Sequence, residues 1–315
     1  MYPDFGKIGV ICGGLSSERD ISLESGAAIF SALIKDGLDV SQIDLTTENP
    51  AQVQSVIKDA GIDVAFIAMH GKFGEDGKLQ AILEDVGIAY VGSDSLASTL
   101  AMDKIVAKKV FEENNIPVAS YRVLNRFREY DFKKEDYKFP LVVKPQSQGS
   151  SVGIAFVNKL EELDQALRSA FRYDDNVLIE DYIEGRELTV GILDNRALEP
   201  IEIVPKNQFF DFQAKYSKGM TDYIIPAPIE PDLREQIQYL SLKTHKVLGC
   251  CHFSRVDLLI DKQGSPFILE LNTIPGFTST SLLPKAALFE GITFSQLCIK
   301  LLSLAIKGSV TTLNK

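Results

Sequence analysis

Near the C-terminal end of this chain, Arg255-Val-Asp257 and Glu270-Leu-Asn272 stand symmetrically about a Gln263-Gly264 turn, each within an apolar run. If the two runs pair as a hairpin, Asp257 faces Glu270 and Arg255 faces Asn272. The two-residue side-chain period of a strand then puts all four on one face of a sheet. Carboxylates packed that closely repel one another unless a cation neutralises them or a strand end delivers them to water. The alternatives are a hard-oxygen metal site beside a guanidinium and a solvated strand end.

Upstream residues weigh toward the metal site. Lys144 opens a loop that runs through Gln148-Gly149-Ser150-Ser151-Val-Gly153. Its backbone N–H groups are uncrowded at the glycines, and the lysine offers charge to a phosphate. No Gly-Lys-Ser/Thr opens a following helix, so this is not a Walker A loop, and a flexible hairpin turn would explain the glycines as well. Lysine, loop and acidic hairpin together describe magnesium beside a phosphate cradle, the signature of a nucleotide site. The strand around Val177-Leu-Ile-Glu180-Asp-Tyr182-Ile183 suits an adenine edge and its apolar face, or else an edge strand with solvated acids. Glu187 could hold ribose hydroxyls. Lys104, on a helix, reads from pattern alone as a surface lysine.

The first third alternates strand and helix signals. Residues 7–12 read as a strand, Gly13-Gly14 as a turn, and Ser17-Glu18-Arg19-Asp20 as a capping box opening a helix. Residues 63–69 repeat the buried-strand pattern, 79–86 form a helix and 88–91 a short strand, which predicts parallel α/β structure. Glu18 suits a cationic group such as an ammonium, or is simply a helix N-terminal acid. His70-Gly71, at the C-terminal end of a predicted strand, lies at the ligand crevice of such a sheet or is a satisfied structural histidine.

A helix over 103–115 ends at Asn114-Asn115-Ile-Pro117, and hairpin-like strands then flank the loop at 139–144 and 153–157. Domains are expected at 1–102 (α/β), 103–187 (α+β) and 188–315. Within the last, a stretch at about 205–226 reads as a lid or binding loop. Asn272-Thr-Ile-Pro275-Gly276-Phe-Thr-Ser-Thr-Ser281-Leu282 presents hydroxyls and backbone donors at a helix start. With Arg255 they could bind a carboxylate or a developing oxyanion, although turn chemistry alone would explain Pro275-Gly276.

Composition narrows the function classes. A length of 315 residues exceeds one ordinary core, and 45% apolar content suffices for several. A net charge of −10 argues against nucleic acid or acidic membranes as partners. With no signal-like N-terminus and no apolar run of about 20 residues, a cytoplasmic protein is expected. Four cysteines without metal or disulfide spacing read as buried small hydrophobes, and three histidines argue against zinc.

Taken in order, these segments resemble the D-alanine–D-alanine ligases of the ATP-grasp superfamily, over essentially the whole chain. The matching motifs are Gly13-Gly14-Leu-Ser-Ser-Glu18-Arg-Asp-Ile-Ser22, His70-Gly71 with Gly74-Glu75-Asp76-Gly77, Met102-Asp103-Lys104, Lys144-Pro with Gly149-Ser150-Ser151-Val-Gly153, and Glu270-Leu-Asn272-Thr-Ile-Pro275-Gly276. The resemblance implies a Rossmann-like α/β domain joined to an α+β ATP-grasp, with ATP between the central and C-terminal domains. It assigns ATP contacts to Lys104, Lys144, Ser151, Glu180, Tyr182, Ile183, Glu187, Phe209 and Lys215. Asp257, Glu270 and Asn272 match the ligands of two Mg2+ ions, replaceable by Mn2+.

In the same terms Glu18 receives the ammonium of the first D-alanine, with His70 and Lys215 nearby. Ser281 and Leu282 match donors to the carboxylate of the second, and Arg255 with the Gly276 amide matches the oxyanion site. Tyr216, in the lid, would bond through Ser150 toward Glu18, and its presence favours a dipeptide product over the D-alanyl–D-lactate ester. The implied reaction runs through D-alanyl phosphate, in a homodimer without nucleic-acid or membrane partners. Gln148 and Leu15 depart from the family pattern, where an acid and a small hydroxyl residue are common. Another carboxylate–amine ligase, such as a D-alanine–D-lactate ligase, and a nucleotide-binding regulator without turnover are the alternatives.

Overall fold

The computed structural model describes residues 3–130, 136–205 and 221–312. Four apolar runs in the first hundred residues become the strands β1 (Ile8–Gly13), β2 (Val40–Leu45), β3 (Val64–Ile67) and β4 (Ala89–Val91), all parallel in the order β2-β1-β3-β4. Helices α1 (Arg19–Lys35), α2 (Pro50–Ala60) and α3 (Lys78–Val86) make the crossovers. β1 and β3 are buried along their whole length, as strands covered on both faces must be. Helix α2 shows how local chemistry sets its ends. The Asn49 side chain accepts from the Gln52 N–H, Pro50 occupies the first turn, and Gly61 closes the helix in the left-handed conformation.

Two further helices, α4 (Ser95–Met102) and α5 (Lys104–Glu113), follow almost without a break. Asp103 separates them: its backbone is extended, and its carboxylate caps the Ile105 and Val106 N–H groups. A second sheet is antiparallel, with strands β5 (Tyr121–Asn125), β6 (Leu141–Pro145), β7 (Ala155–Val157) and β8 (Asn176–Asp181) in the order β5-β8-β6-β7. Helix α6 (Leu160–Ala170) seals one face with Leu163, Ala166 and Leu167.

The third sheet holds β9 (Gly185–Leu193), β10 (Arg196–Ala197), β11 (Ile201–Pro205), β12 (Thr221–Ile224), β13 (Phe253–Asp261) and β14 (Pro266–Asn272). Helix α7 (Pro231–Val247) packs on it through Ile237 and Leu240, and α8 (Leu282–Phe289) and α9 (Phe294–Thr312) end the chain. The whole is a mixed α/β and α+β architecture. Among the described residues no single helix is long and apolar enough to cross a membrane.

The β13–β14 hairpin pairs Arg255 with Asn272 and Asp257 with Glu270. A simple ladder from the turn would not reach that register, because Leu258 pairs with Ile268. The extra residue, Leu269, is a β-bulge beside the carboxylates, and it restores the symmetric pairing beyond itself.

The C-terminal helices fold back on the first sheet. Leu283, Leu297 and Leu301 share one core with Ile8, Val10, Ile29 and Phe66, and Phe277 stacks 5.5 Å from Phe66 and 5.7 Å from Phe253. The loop after β14 is thereby held against the first sheet and α1, where the Phe277 N–H donates to Ser25 Oγ at 3.3 Å.

Candidate active site

A cavity of about 540 Å³ opens between the second and third sheets. It is lined by Lys144, Ser151, Glu180, Tyr182 and Ile183 on one side and by Glu187, Asp257, Leu269 and Glu270 on the other. The β6–β8 pairing puts Val142 beside Glu180 and Lys144 beside Leu178, so Lys144 Nζ reaches Glu180 Oε2 at 2.8 Å. The other carboxylate oxygen lies 3.3 Å from Lys108 Nζ, which is fully buried behind the cavity. Burial alone would raise the Glu180 pKa, yet Lys144 and Lys108 outweigh it and hold the carboxyl below the usual range. Burial likewise works to discharge Lys144, but Glu180, Glu270 and Glu187 keep its pKa above that of a free lysine. For Lys108 burial prevails, and its pKa falls.

Lys104 is not a surface residue. Its amide donates to the Gln146 carbonyl at 3.0 Å, seating the start of α5 against the end of β6, and the side chain is buried beneath the Gly/Ser loop. From there Nζ reaches the Gln148 carbonyl at 2.7 Å and Glu270 Oε2 at 3.1 Å. Asp257 accepts two bonds from Arg255, at 2.9 and 2.7 Å, and one from Thr189 Oγ1 at 2.6 Å. Each carboxylate on the β13–β14 face thus already has a cation. Among the described residues no three His, Cys, Asp or Glu side chains converge as a ready metal cluster. Two hard carboxylates on paired strands, with Asn272 opposite Arg255, are nevertheless the donor chemistry a magnesium or manganese ion takes.

In the Gly/Ser loop the unusual backbone angles fall on serines. Ser150 and Ser151 have φ of 49° and 60°, in the left-handed region, whereas of the loop's two glycines only Gly153 has positive φ. Two serines thus hold a strained turn, which persists because the surroundings fix it. Asp174 anchors the loop's root, accepting from the Ser147 N–H at 2.8 Å and from its hydroxyl at 2.7 Å. At the tip, Ser150 donates a short hydrogen bond to Glu18 across 132 residues of sequence.

The start of the adjoining helix also differs from expectation. Ser17 to Asp20 do not form a capping box. Helix α1 begins at Arg19 after Glu18, which makes no side-chain cap, and Ser16 Oγ accepts the Glu18 N–H instead. The Glu18 carboxylate is committed to the Gly/Ser loop and cannot serve its own helix. Nearby, His70 is buried, with Nδ1 2.9 Å from the Ile274 carbonyl and Nε2 2.9 Å from Ser25 Oγ. A carbonyl only accepts, so Nδ1 carries a proton and Nε2 receives the Ser25 hydroxyl. Glu75 lies 3.7 Å from the ring, and burial pushes its pKa up despite His70.

Ser281 immediately precedes α8 without capping it. Its hydroxyl accepts from the Thr278 N–H at 3.0 Å and lies 3.3 Å from where a Cβ on Gly276 would stand. Gly276, Ser281 and the first residue of α8, Leu282, are therefore adjacent. Of the other expected positions, Phe209, Lys215 and Tyr216 lie outside the described residues. Cys12, Cys250 and Cys298 are buried as expected, but Cys251 is exposed, because it sits in the turn after α7 rather than in a strand. Sequence reasoning missed Lys108, Asp174 and Thr189. Only Lys108 had a signal, one helical turn beyond Lys104 on the same face.

Residues 46–93 match the family model described as D-ala D-ala ligase N-terminus, and residues 110–303 the one described as D-ala D-ala ligase C-terminus. A protein of Geobacter sulfurreducens named D-alanine–D-alanine ligase is 47% identical over 306 residues, covering 96% of each chain. One of the same name from Geotalea uraniireducens is 46% identical over 299 residues, covering 95% of each. The crystal structure of D-alanine–D-alanine ligase from Bacillus anthracis complexed with ATP superposes with a TM-score of 0.86 at 34% identity, covering 98% of this chain and 99% of that one.

Proposed function

The chain belongs to the D-alanine–D-alanine ligase family, and we propose that it joins two molecules of D-alanine into D-alanyl-D-alanine for peptidoglycan synthesis, with cleavage of ATP to ADP and phosphate. The observation that carries this reading is the Ser150–Glu18 hydrogen bond. It makes the nucleotide loop and the amino-acid side one continuous site rather than two. In this reading three domains, 1–102, 103–187 and 188–315, converge on it.

ATP lies in the cavity between the two antiparallel sheets, with Tyr182, Ile183 and Glu187 toward the nucleoside and Lys104, Lys144 and Ser151 toward the phosphates. Two magnesium or manganese ions held by Asp257, Glu270 and Asn272 would add Lewis-acid neutralisation of the phosphoryl group. The first D-alanine places its ammonium at Glu18, beside His70, and its carboxylate attacks the γ-phosphate. The second is held through its carboxylate by Ser281 and the Leu282 N–H at the start of α8, and its amine displaces phosphate from the D-alanyl phosphate. Arg255 and the Gly276 amide stabilise the oxyanion of that step. Phe209, Lys215 and Tyr216 complete the site when the lid closes, shielding the acyl phosphate from water.

The test is ADP release measured with a panel of D- and L-amino acids. D-alanine raises the rate well above the ATPase background; no stimulation overturns the proposal. Competing D-lactate against D-alanine at neutral pH separates dipeptide from ester synthesis. We also infer a cytoplasmic homodimer, which light scattering and cell fractionation check.

A further inference from the structure

Lys108 has no contact with the cavity, yet its ammonium is buried inside the protein, beyond reach of water. An uncompensated ammonium in such a place is strongly disfavoured, so its partners reveal what it does. It lies 3.3 Å from Glu180 Oε1, a contact between charges rather than a well-aligned hydrogen bond, and 5.4 Å from the centre of the Tyr121 ring. Glu180 spends its other oxygen on Lys144 at 2.8 Å, and Lys144 faces the cavity. The three side chains form a line from the interior to the cavity floor: cation, anion, cation.

We propose that Lys108 is a positioning residue for the nucleotide site, neutralising Glu180 from behind so that Lys144 presents its charge undiminished to the polyphosphate. Without Lys108, Glu180 and Lys144 make a closed neutral pair, and the floor of the cavity has no net charge to offer. With it, the line carries one positive charge in excess, held by buried groups that need no rearrangement when the anion arrives. The placement follows from α5: Lys104 and Lys108 stand one turn apart on the face turned to the second sheet, and Glu180 enters from β8, paired with Tyr121 of β5.

The inference rests on the ATP reading above, and calorimetric titration of the full chain with ATP, ADP and AMP as magnesium salts separates the two. If the unsubstituted protein binds none of them, that reading fails. If it binds ATP, Lys108→Met is expected to weaken ATP about tenfold, ADP less and AMP least, the scale of one charge-assisted contact. Lys108→Arg, which keeps the charge, restores ATP affinity. A distorted nucleoside pocket would instead weaken all three nucleotides alike, and that equal loss, or no loss, overturns the inference. Should Lys108→Met not fold, Lys108→Gln is titrated in its place; failure of both to fold makes the lysine purely structural and overturns the inference too.

Discussion

Two glutamates in this molecule are buried to nearly the same degree and behave in opposite ways. Glu180, beneath the nucleotide cavity, sits between two ammonium groups, and its carboxyl is held below the usual range. Glu75, beside His70, has an imidazole for its neighbour and the Glu18 charge not far off, and burial raises its pKa. The same residue type, buried in both places, has its pKa held down in one and pushed up in the other. The region proposed for the nucleotide is built from opposed full charges, suited to a polyanion. The region proposed for the amino acids is built from hydrogen bonds of His70 to Ser25 and to the Ile274 carbonyl, with the Glu75 carboxyl 3.7 Å away, an arrangement suited to a small zwitterion.

Removing one cation from the nucleotide half should break the comparison most severely. Lys144→Met leaves Glu180 with Lys108 alone, and breaking a buried pair costs about 3–5 kcal/mol of stability. Denaturant unfolding reads that cost. The kcat/KM for ATP should also fall by at least about a hundredfold, the scale of losing one preorganised charge contact. A loss below about 1 kcal/mol would mean the triad is far more solvated than its burial indicates.

The bond that joins the halves comes next. Ser150→Ala removes the donor to Glu18, and a hydrogen bond to a charged group contributes about 1.5–3 kcal/mol. The expected result is a KM for D-alanine raised about tenfold or more, with the KM for ATP changed less. Equal changes in both would place Ser150 in the phosphate loop alone.

How far these features could be read in advance follows from how local their causes are. Asp257 facing Glu270 and Arg255 facing Asn272 was readable because a hairpin's register is a local matter, even though a bulge at Leu269 is what delivers it. Strands β1, β3 and β8 announced themselves through uninterrupted apolar runs. The burial of Lys104 and Lys108 was hidden, because a lysine on an amphipathic helix looks the same whether it meets water or a carboxylate from a distant strand. The helix start at Arg19 was misread because Ser16, not Ser17, takes the Glu18 N–H, and nothing in the sequence separates the two serines. Nor does the 3.6-residue period of α9 say which sheet it covers, and it returns to the first.

Acid and base titration sharpen the contrast between the two glutamates. Glu180 has a folded pKa below its ordinary 4.5, so its contribution to stability is present above that value and is lost as pH falls through the depressed folded one. Glu75 has a folded pKa above 4.5, so its contribution is complete below that value and is lost as pH rises through the elevated folded one. Each acts by about 1.4 kcal/mol for every pH unit between its two pKa values. Stability curves of Glu75→Gln should therefore lack a decline on the alkaline side that the unsubstituted protein shows. Glu180→Gln should lack the acid decline but be less stable throughout, because two ammonium groups are left without their anion. Parallel curves for the two variants would refute the contrast.

The smallest effect is expected where a charge pair joins the same two regions across open solvent. Lys72, which follows the His70-Gly71 turn, stands 3.9 Å from Asp174 with nearly half of its side chain exposed. Asp174 is already satisfied by the Ser147 amide and hydroxyl, so the lysine adds only a screened attraction. Lys72→Ala should change stability by less than about 0.5 kcal/mol, and less still in high salt. Asp174→Ala, by contrast, frees the root of the Gly/Ser loop and should raise the KM for ATP by about tenfold, the scale of a lost charge-assisted bond. If the two substitutions acted equally, the ion pair rather than the loop anchor would be what Asp174 is there for.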